Sequence, residues 1–166
     1  MIDDTMQSEF PGVMGQNPDE SSEGAAQYVA FVVGEQTYCV DIMSVREIRA
    51  WTGTTSLPNA AEFVRGVVNL RGVVVPIIDL RIRLDQGETD PTKSHVVVIV
   101  MIDGKLNGML VDAVSDILTI KKTDIMPIPD TGGEAENPYL DGLISVEEDM
   151  VAMIALDRLI ERTVVH

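Results

Sequence analysis

Three aspartates stand where an apolar run gives way to the next segment: Asp79 after Ile77 and Ile78, Asp112 after Leu110 and Val111, and Asp157 after Ala155 and Leu156. Carboxylates so placed could pair for general acid–base work or hold a cation. Each could also accept an N–H at the start of the turn or helix that follows, which stabilises by about 1 kcal/mol. Paired chemistry needs a His, a Lys or a second carboxylate at useful spacing, and none stands there, so capping is the reading. The only histidines are His95, at the start of an apolar run, and His166, at the end of the chain. With Cys39 as the single cysteine, a zinc site of the usual Cys/His type lacks ligands. Cys39 lies among Tyr38, Val40 and Ile42 and reads as a buried, inert thiol. The chain has no phosphate-cradling glycine loop, no dinucleotide fingerprint and no Gly-x-Ser-x-Gly elbow. No catalytic residue, metal ligand or cofactor is assigned.

The basic residues carry a different message. All six bases of residues 28–84 are arginines: Arg46, Arg49, Arg65, Arg71, Arg81 and Arg83. For Arg49, Arg81 and Arg83 a solvated face neutralising nearby acids is as good a reading as a contact. Arg71 is another matter. It lies in Asn69-Leu70-Arg71-Gly72, between the runs 66–68 and 73–78, and Gly72 tolerates the positive φ of a tight turn. The turn therefore projects a guanidinium from an oily hairpin, and Arg65 immediately precedes Gly66 on the way in. Arginine is enriched at protein interfaces, so Arg65 and Arg71 are read as partner contacts.

The net charge is −15, unevenly spread. Residues 1–27 hold six acids and no base, residues 28–84 hold five acids and six bases, and residues 85–166 hold sixteen acids and six bases. Such a charge repels phosphate, so neither nucleic acid nor direct contact with anionic membranes is expected. No apolar run reaches the length of a membrane span, and the acidic start lacks the pattern of a signal peptide. A cytoplasmic protein is expected. Aromatics are only 4%, so aliphatic residues and most of the nine methionines must fill the core. Trp51, the sole tryptophan, is expected to be buried in the first half.

Residues 1–27 read as a disordered acidic tail. Strands follow over 28–33 and 36–40, joined by Gly34-Glu35. Ile42, Val45 and Ile48 fit either a helical turn or entry into a strand. A strand is expected over 52–56 and a short helix over 60–65, ended by Gly66. The Arg71 hairpin comes next, with Pro76 marking an edge or bulge, then a helical turn over 80–84 and a polar loop over 85–93. The second half repeats this order at an offset of about seventy residues, longer than solenoid repeats. A hairpin forms about Asp103-Gly104, Val111-Asp112 answers Val40-Asp41, and residues 139–146 mirror 63–70. The reading is all-β with short helices: two five-stranded β-barrel subdomains, about 28–84 and 95–155, with a C-terminal helix over 156–164 and a groove between the subdomains.

These residues resemble the CheW-like family of bacterial chemotaxis coupling proteins. The resemblance is carried by Val40-Asp41, by Val45-Arg46-Glu47-Ile48, by Leu57-Pro58-Asn59, by the run from Phe63 through Asn69-Leu70-Arg71-Gly72 to Pro76-Ile77-Ile78-Asp79-Leu80, and by Val111-Asp112 and Tyr139-Leu140-Asp141-Gly142. It covers about residues 28–162. It implies two SH3-like barrels and a non-enzymatic adaptor between transmembrane chemoreceptors and the histidine kinase CheA. The receptor's helical tip would enter the groove, and the kinase's regulatory domain would dock on outer barrel surfaces. The protein would be recruited to receptor clusters at the inner membrane. By motif match, Val45, Glu47, Arg65, Gly66 and Arg71, with Asn69, Leu70 and Gly72 of the same hairpin, are candidate receptor-side or kinase-side contacts. The alternatives are a module of another two-component pathway or a nucleotide-binding protein, the latter supported by the aspartates and weakened by the missing phosphate cradle.

Overall fold

The computed structural model describes residues 24–129 and 138–159. Among the described residues, ten strands make two five-stranded sheets. The strands are β1 (Ala25–Val33), β2 (Gln36–Asp41), β3 (Val45–Ala50), β4 (Val64–Leu70), β5 (Val73–Asp79), β6 (Val96–Ile102), β7 (Lys105–Val111), β8 (Ala113–Lys121), β9 (Leu140–Val146) and β10 (Asp149–Ile154). Single helical turns, α1 (Leu80–Arg83) and α2 (Leu156–Leu159), follow β5 and β10. The order in the first sheet is β8-β1-β2-β10-β9 and in the second β3-β6-β7-β5-β4.

Each sheet closes on itself. Past the end of β3, Thr55 pairs with Val67 of β4, and the two exchange N–H···O bonds of 2.9 and 2.8 Å. Past the end of β8, Met126 pairs with Leu143 of β9 through two bonds of 2.8 Å. These pairs join the edge strands, so both sheets are barrels, called here barrel 1 (holding β1) and barrel 2 (holding β3). At both closures a glycine faces the arriving carbonyl. A Cβ on Gly66 (φ +149°) would lie 2.4 Å from the Thr55 oxygen, and one on Gly142 would lie 3.0 Å from the Met126 oxygen.

The repeat is real, but the boundary near residues 84–95 does not divide the barrels. Barrel 1 takes β1 and β2 from the first half and β8–β10 from the second; barrel 2 takes β3–β5 and β6–β7. The chain changes barrel at Asp41, through a 3-10 turn (Ile42–Ser44) that the Asp41 side chain caps by accepting from Met43 N, and again at Asp112. Pattern alone could not detect this exchange, because both halves carry the same order of strands whichever partners they pair with. The expected groove between the subdomains is, along their central strands, a packed core. Val29, Phe31 and Val33 of β1 meet Val98 and Val100 of β6 there, with Met109, Val111 and Leu80. The alternate residues Ala30 and Cys39 line barrel 1, and Val97, Ile99 and Leu110 line barrel 2. Burial of both faces explains why β6 is apolar without alternation.

Other expectations shift. The 1–27 tail falls mostly on residues 1–23, outside the described residues, while 25–27 belong to β1, where Ala25 pairs with Lys121. The C-terminal helix is described only over Leu156–Leu159; residues 160–164 lie outside. No helix forms over 60–65: Val64 opens β4 opposite Ile78. Six residues repay helix nucleation poorly, and the β-branched Val64 gains a strand partner instead. The 52–56 strand reduces to the bridge at Thr55. Pro76 sits in β5 just before the residues paired to β7, which begin at Ile77.

Gly66→Ala should therefore destabilise the protein by about 2–3 kcal/mol, since rigid backbone stands in the way of the new methyl. Gly72→Ala meets nothing within 4 Å and bears only the strain of φ +90°, about 1 kcal/mol. Urea unfolding of the two variants checks the order; equal losses would dismiss the closure argument.

Candidate functional site

The β4–β5 hairpin is a two-residue turn with positive φ at both loop positions, Arg71 (+51°) and Gly72 (+90°), the primed geometry that follows strand twist. Asn69 Oδ1 accepts from Gly72 N at 2.8 Å and fixes the tip. Arg71 projects from it, 72% exposed along its side chain, and donates from Nη2 to Glu47 Oε1 at 2.7 Å. Glu47 also receives Arg49 Nη1 on its other oxygen at 3.1 Å. This triad joins β3 to the β4–β5 tip across the same seam that Thr55 and Val67 close. The hydrogen bond from Arg71 is the main cause that holds the Glu47 carboxyl below the usual range, and Glu47 raises Arg71 in return.

The candidate contacts divide by position. Glu47, Asn69, Arg71 and Gly72 come together at the outer end of the seam. Val45, partly buried, opens β3 on the same edge and also packs on the central core. Arg65, Gly66 and Leu70 turn inward. Leu70 is part of the barrel 2 core, and Gly66 underlies the closure. Arg65 Nη1 donates to Asp79 Oδ2 at 2.9 Å and to Thr89 O at 3.0 Å, while its guanidinium carbon lies 5.8 Å from the Trp51 ring centroid.

The aspartates are engaged in holding the chain. Asp79 is fully buried; besides Arg65 it accepts from Arg81 N at 3.1 Å, from Thr89 N at 3.1 Å and from Thr89 Oγ1 at 2.7 Å. It thus caps α1, as expected, and also pins the 85–93 loop. Asp112 is no helix cap. Its Oδ2 accepts from Gly34 N at 3.0 Å and Arg81 Nη2 at 2.9 Å, tying the tip of barrel 1's first hairpin to α1. His95 Nε2 lies 3.5 Å from Asp112 Oδ1, and Thr92 N donates to His95 Nδ1 at 3.0 Å. Sequence spacing did not reveal this Asp–His neighbour, because β6 and β7 must pair before the two residues meet. Asp157 lies in the first turn of α2, and His166 lies outside the described residues. Cys39 is buried and its thiol is pushed up to about 12 by desolvation, far from the thiolate a nucleophile requires. Among the described residues, no group of three or more His, Cys, Asp or Glu converges on a metal position.

Arg81 and Arg83 are not a solvated face. Arg83 lies between the Phe63 ring of barrel 2 (3.9 Å) and the Tyr139 ring that leads into barrel 1 (4.6 Å). Several large apolar residues face solvent, and six of them recur at equivalent places. Ile48, Val74 and Leu57 are exposed on barrel 2; Ile117, Met150 and Ile128 are exposed at the corresponding places of the repeat on barrel 1. The tips beside them differ in sign, Arg71-Gly72 on one and Glu147-Glu148 on the other.

Fold and site thus define a twin-barrel domain whose buried ionised groups bind one another and whose exposed apolar residues recur on both barrels. The CheW-like domain family matches residues 27–164, and the chain belongs to that family. It is 43% identical to the chemotaxis protein CheW of Rhizobium meliloti (strain 1021) over 82% of this chain and 88% of that one. It is 34% identical to the chemotaxis protein CheW of Klebsiella aerogenes over 81% of each. The crystal structure of the scaffolding protein TtCheW from Thermoanaerobacter tengcongensis superposes with a TM-score of 0.75 at 32% identity, covering 82% of this chain and 92% of that one. No helix among the described residues is long and apolar enough to cross a membrane.

Two outcomes are expected. Arg65→Ala leaves the Asp79 carboxylate buried with N–H and hydroxyl donors but no countercharge, and should cost about 2–3 kcal/mol in denaturant unfolding, less than a fully sequestered pair because Arg65 is partly open to water. Carboxyl NMR titration should find Glu47 protonating below the usual carboxylate range of about 4.3, and Arg71→Ala should return it upward. Because the folded value is the depressed one, the Glu47–Arg71 tie is intact above the unfolded value and is lost as pH falls through the folded one.

Proposed function

We propose that this chain is a non-enzymatic adaptor that couples transmembrane chemoreceptors to the histidine kinase CheA in chemotaxis, working in the cytoplasm and recruited to receptor clusters at the inner membrane. The observation that carries this reading is the set of exposed apolar residues that recurs on both barrels, with oppositely charged hairpin tips, on barrels that share one core. A body of that kind can hold two protein partners in fixed relation, so that motion in one biases the other without bond chemistry in between. The names of the relatives, chemotaxis proteins and a scaffolding protein, support it. The use of Asp79 and Asp112 as internal ties supports it too, since an acid–base pair would need one of them free.

Val45, Glu47, Asn69, Arg71 and Gly72 make the barrel 2 contact, with Ile48, Val73 and Val74 as the apolar part. Arg65, Gly66 and Leu70 contribute from inside by holding the hairpin. Apolar burial supplies affinity at about 25 cal/mol per Å², and Arg71 sets register by meeting a carboxylate or a carbonyl at a helix end.

The test is co-sedimentation with receptor-containing membranes, with and without the kinase. Wild-type protein should pellet with receptors and recruit the kinase. Arg71→Glu, with its fold checked by NMR, should weaken at least one of the two interactions by about tenfold. Undiminished binding of both would remove Arg71 from the interface, and failure of the wild-type protein to pellet would reject the adaptor role.

A further inference from the structure

Away from the Arg71 hairpin, a cleft of about 230 Å³ lies beside barrel 1, where the chain first leaves that barrel. Three elements supply its acids: Asp41 from the end of β2, Asp141 from β9 and Asp157 from α2. Met153, Ile154 and Leu156 give it an apolar wall. Tyr28 and Ser44 complete the lining with two hydroxyls.

Tyr28 is the informative member. It is 5% exposed and packs in the barrel 1 core beside Ile120 and Ile144. The register of β1 and β2 sets it directly opposite Asp41. Burial pushes its phenol above the ordinary value, and the Asp41 charge adds to that, so the hydroxyl lies toward the Asp41 end of the cleft. Among the described residues this hydroxyl has no hydrogen-bond partner. A buried hydroxyl costs free energy until a donor or acceptor serves it.

The acids are only partly answered. Asp141 Oδ1 accepts from Arg158 Nη2 at 2.9 Å. Asp41 spends one oxygen on Met43 N, at 2.9 Å. Among the described residues neither Asp41 nor Asp157 has a cation beside it. The cleft thus sets three carboxylates against one guanidinium. They do not converge as the ligands of a metal ion do. Charge spread round an apolar wall matches an extended cation better than a compact one.

We propose that this cleft binds a small alkyl diamine, with its ammonium groups on Asp41 and Asp157, its chain along Met153 and Leu156, and one N–H donated to the Tyr28 hydroxyl oxygen. Two positive charges match the excess of carboxylates over Arg158. The size suits about six to eight non-hydrogen atoms, since a cavity of roughly 150 Å³ already admits benzene. Alkylammonium groups lay their stems on apolar surface and keep the charged head among polar partners. Position gives the ligand a consequence. Asp41 caps the turn that carries the chain into barrel 2 and Ser44 ends it, while Asp141 and Asp157 belong to β9 and α2. A bound diamine therefore ties that crossing to the far end of the described chain.

The full chain is titrated with 1,4-diaminobutane at about 0.15 M salt and followed by amide NMR, with butylamine as the singly charged control. Saturable shifts should gather at Tyr28, Asp41, Ser44, Asp141 and Asp157, and the melting temperature should rise with ligand concentration. Butylamine should bind at least about tenfold more weakly. Tyr28→Phe, which removes only the hydroxyl, should weaken the diamine about fivefold, and Asp157→Asn about tenfold. Shifts that spread over the acidic surface without saturating would mean counterion attraction to a chain of net −15, and they overturn the inference. Absence of binding, equal binding of butylamine, or undiminished binding by either variant overturns it as well.

Discussion

A five-stranded sheet becomes a barrel only if its two edges exchange backbone hydrogen bonds, and among the described residues each barrel does so through one bridged pair, in which Thr55 or Met126, past the end of a strand, meets the facing edge strand. The approach is close at both glycines: the Thr55 carbonyl would lie 2.4 Å from a Cβ on Gly66, leaving no room for a side chain, and a Cβ on Gly142 would meet Ile125 Cγ2 at 2.7 Å and the Met126 carbonyl at 3.0 Å. Much else on barrel 2 follows from that contact. It sets β4 beside the end of β3, so the hairpin that leaves β4 brings Arg71 within reach of Glu47. It also leaves the stretch of seam between bridge and ion pair unpaired, where a cavity of about 380 Å³ opens beside Trp51.

Stiffness has a second source in the exchange of strands. Because each half of the chain contributes to both barrels, neither sheet can be completed by one half alone. The central core is built from both sheets, and polar ties sit where the chain crosses or leaves them. Asp41 caps the first crossing; at the second, Asp112 holds Arg81 and the backbone of Gly34. Arg83 lies between aromatic rings from the two halves of the chain, Phe63 and Tyr139, and its Nε donates to Leu159 O. Asp112, Arg81 and Arg83 are partly buried and their partners come from distant parts of the sequence, so these ties favour one arrangement of the barrels over alternatives. For the proposed adaptor role such rigidity matters more than any reactive group.

Much of this was legible in residue order. Hairpins at Gly34, at Arg71-Gly72 and at Asp103-Gly104 were marked by residues that accept positive φ, and all occur. Asp79 as a cap was legible because capping is local. The inert Cys39 followed from its apolar neighbours. Legibility failed where a local preference met a distant partner. Residues 60–65 had the look of a helix, but Val64 gained more opposite Ile78. For Arg81 and Arg83 the sequence left surface charge and contact equally open, and Asp112, Phe63 and Tyr139 decide for contact. Within the candidate site, the exposed tip at Asn69, Arg71 and Gly72 was foreseen, while the inward roles of Arg65 and Leu70 were not.

The sequence by itself determined the hairpins and their turns, the twofold repeat and the family, because alternation, turn residues and motif strings are properties of neighbours along the chain. Which strands share a barrel, which charges are buried, and where the barrel wall stays open were decided only by tertiary structure. Those features depend on contacts between segments far apart in the chain, and two halves written in the same pattern do not say with which copy each will pair.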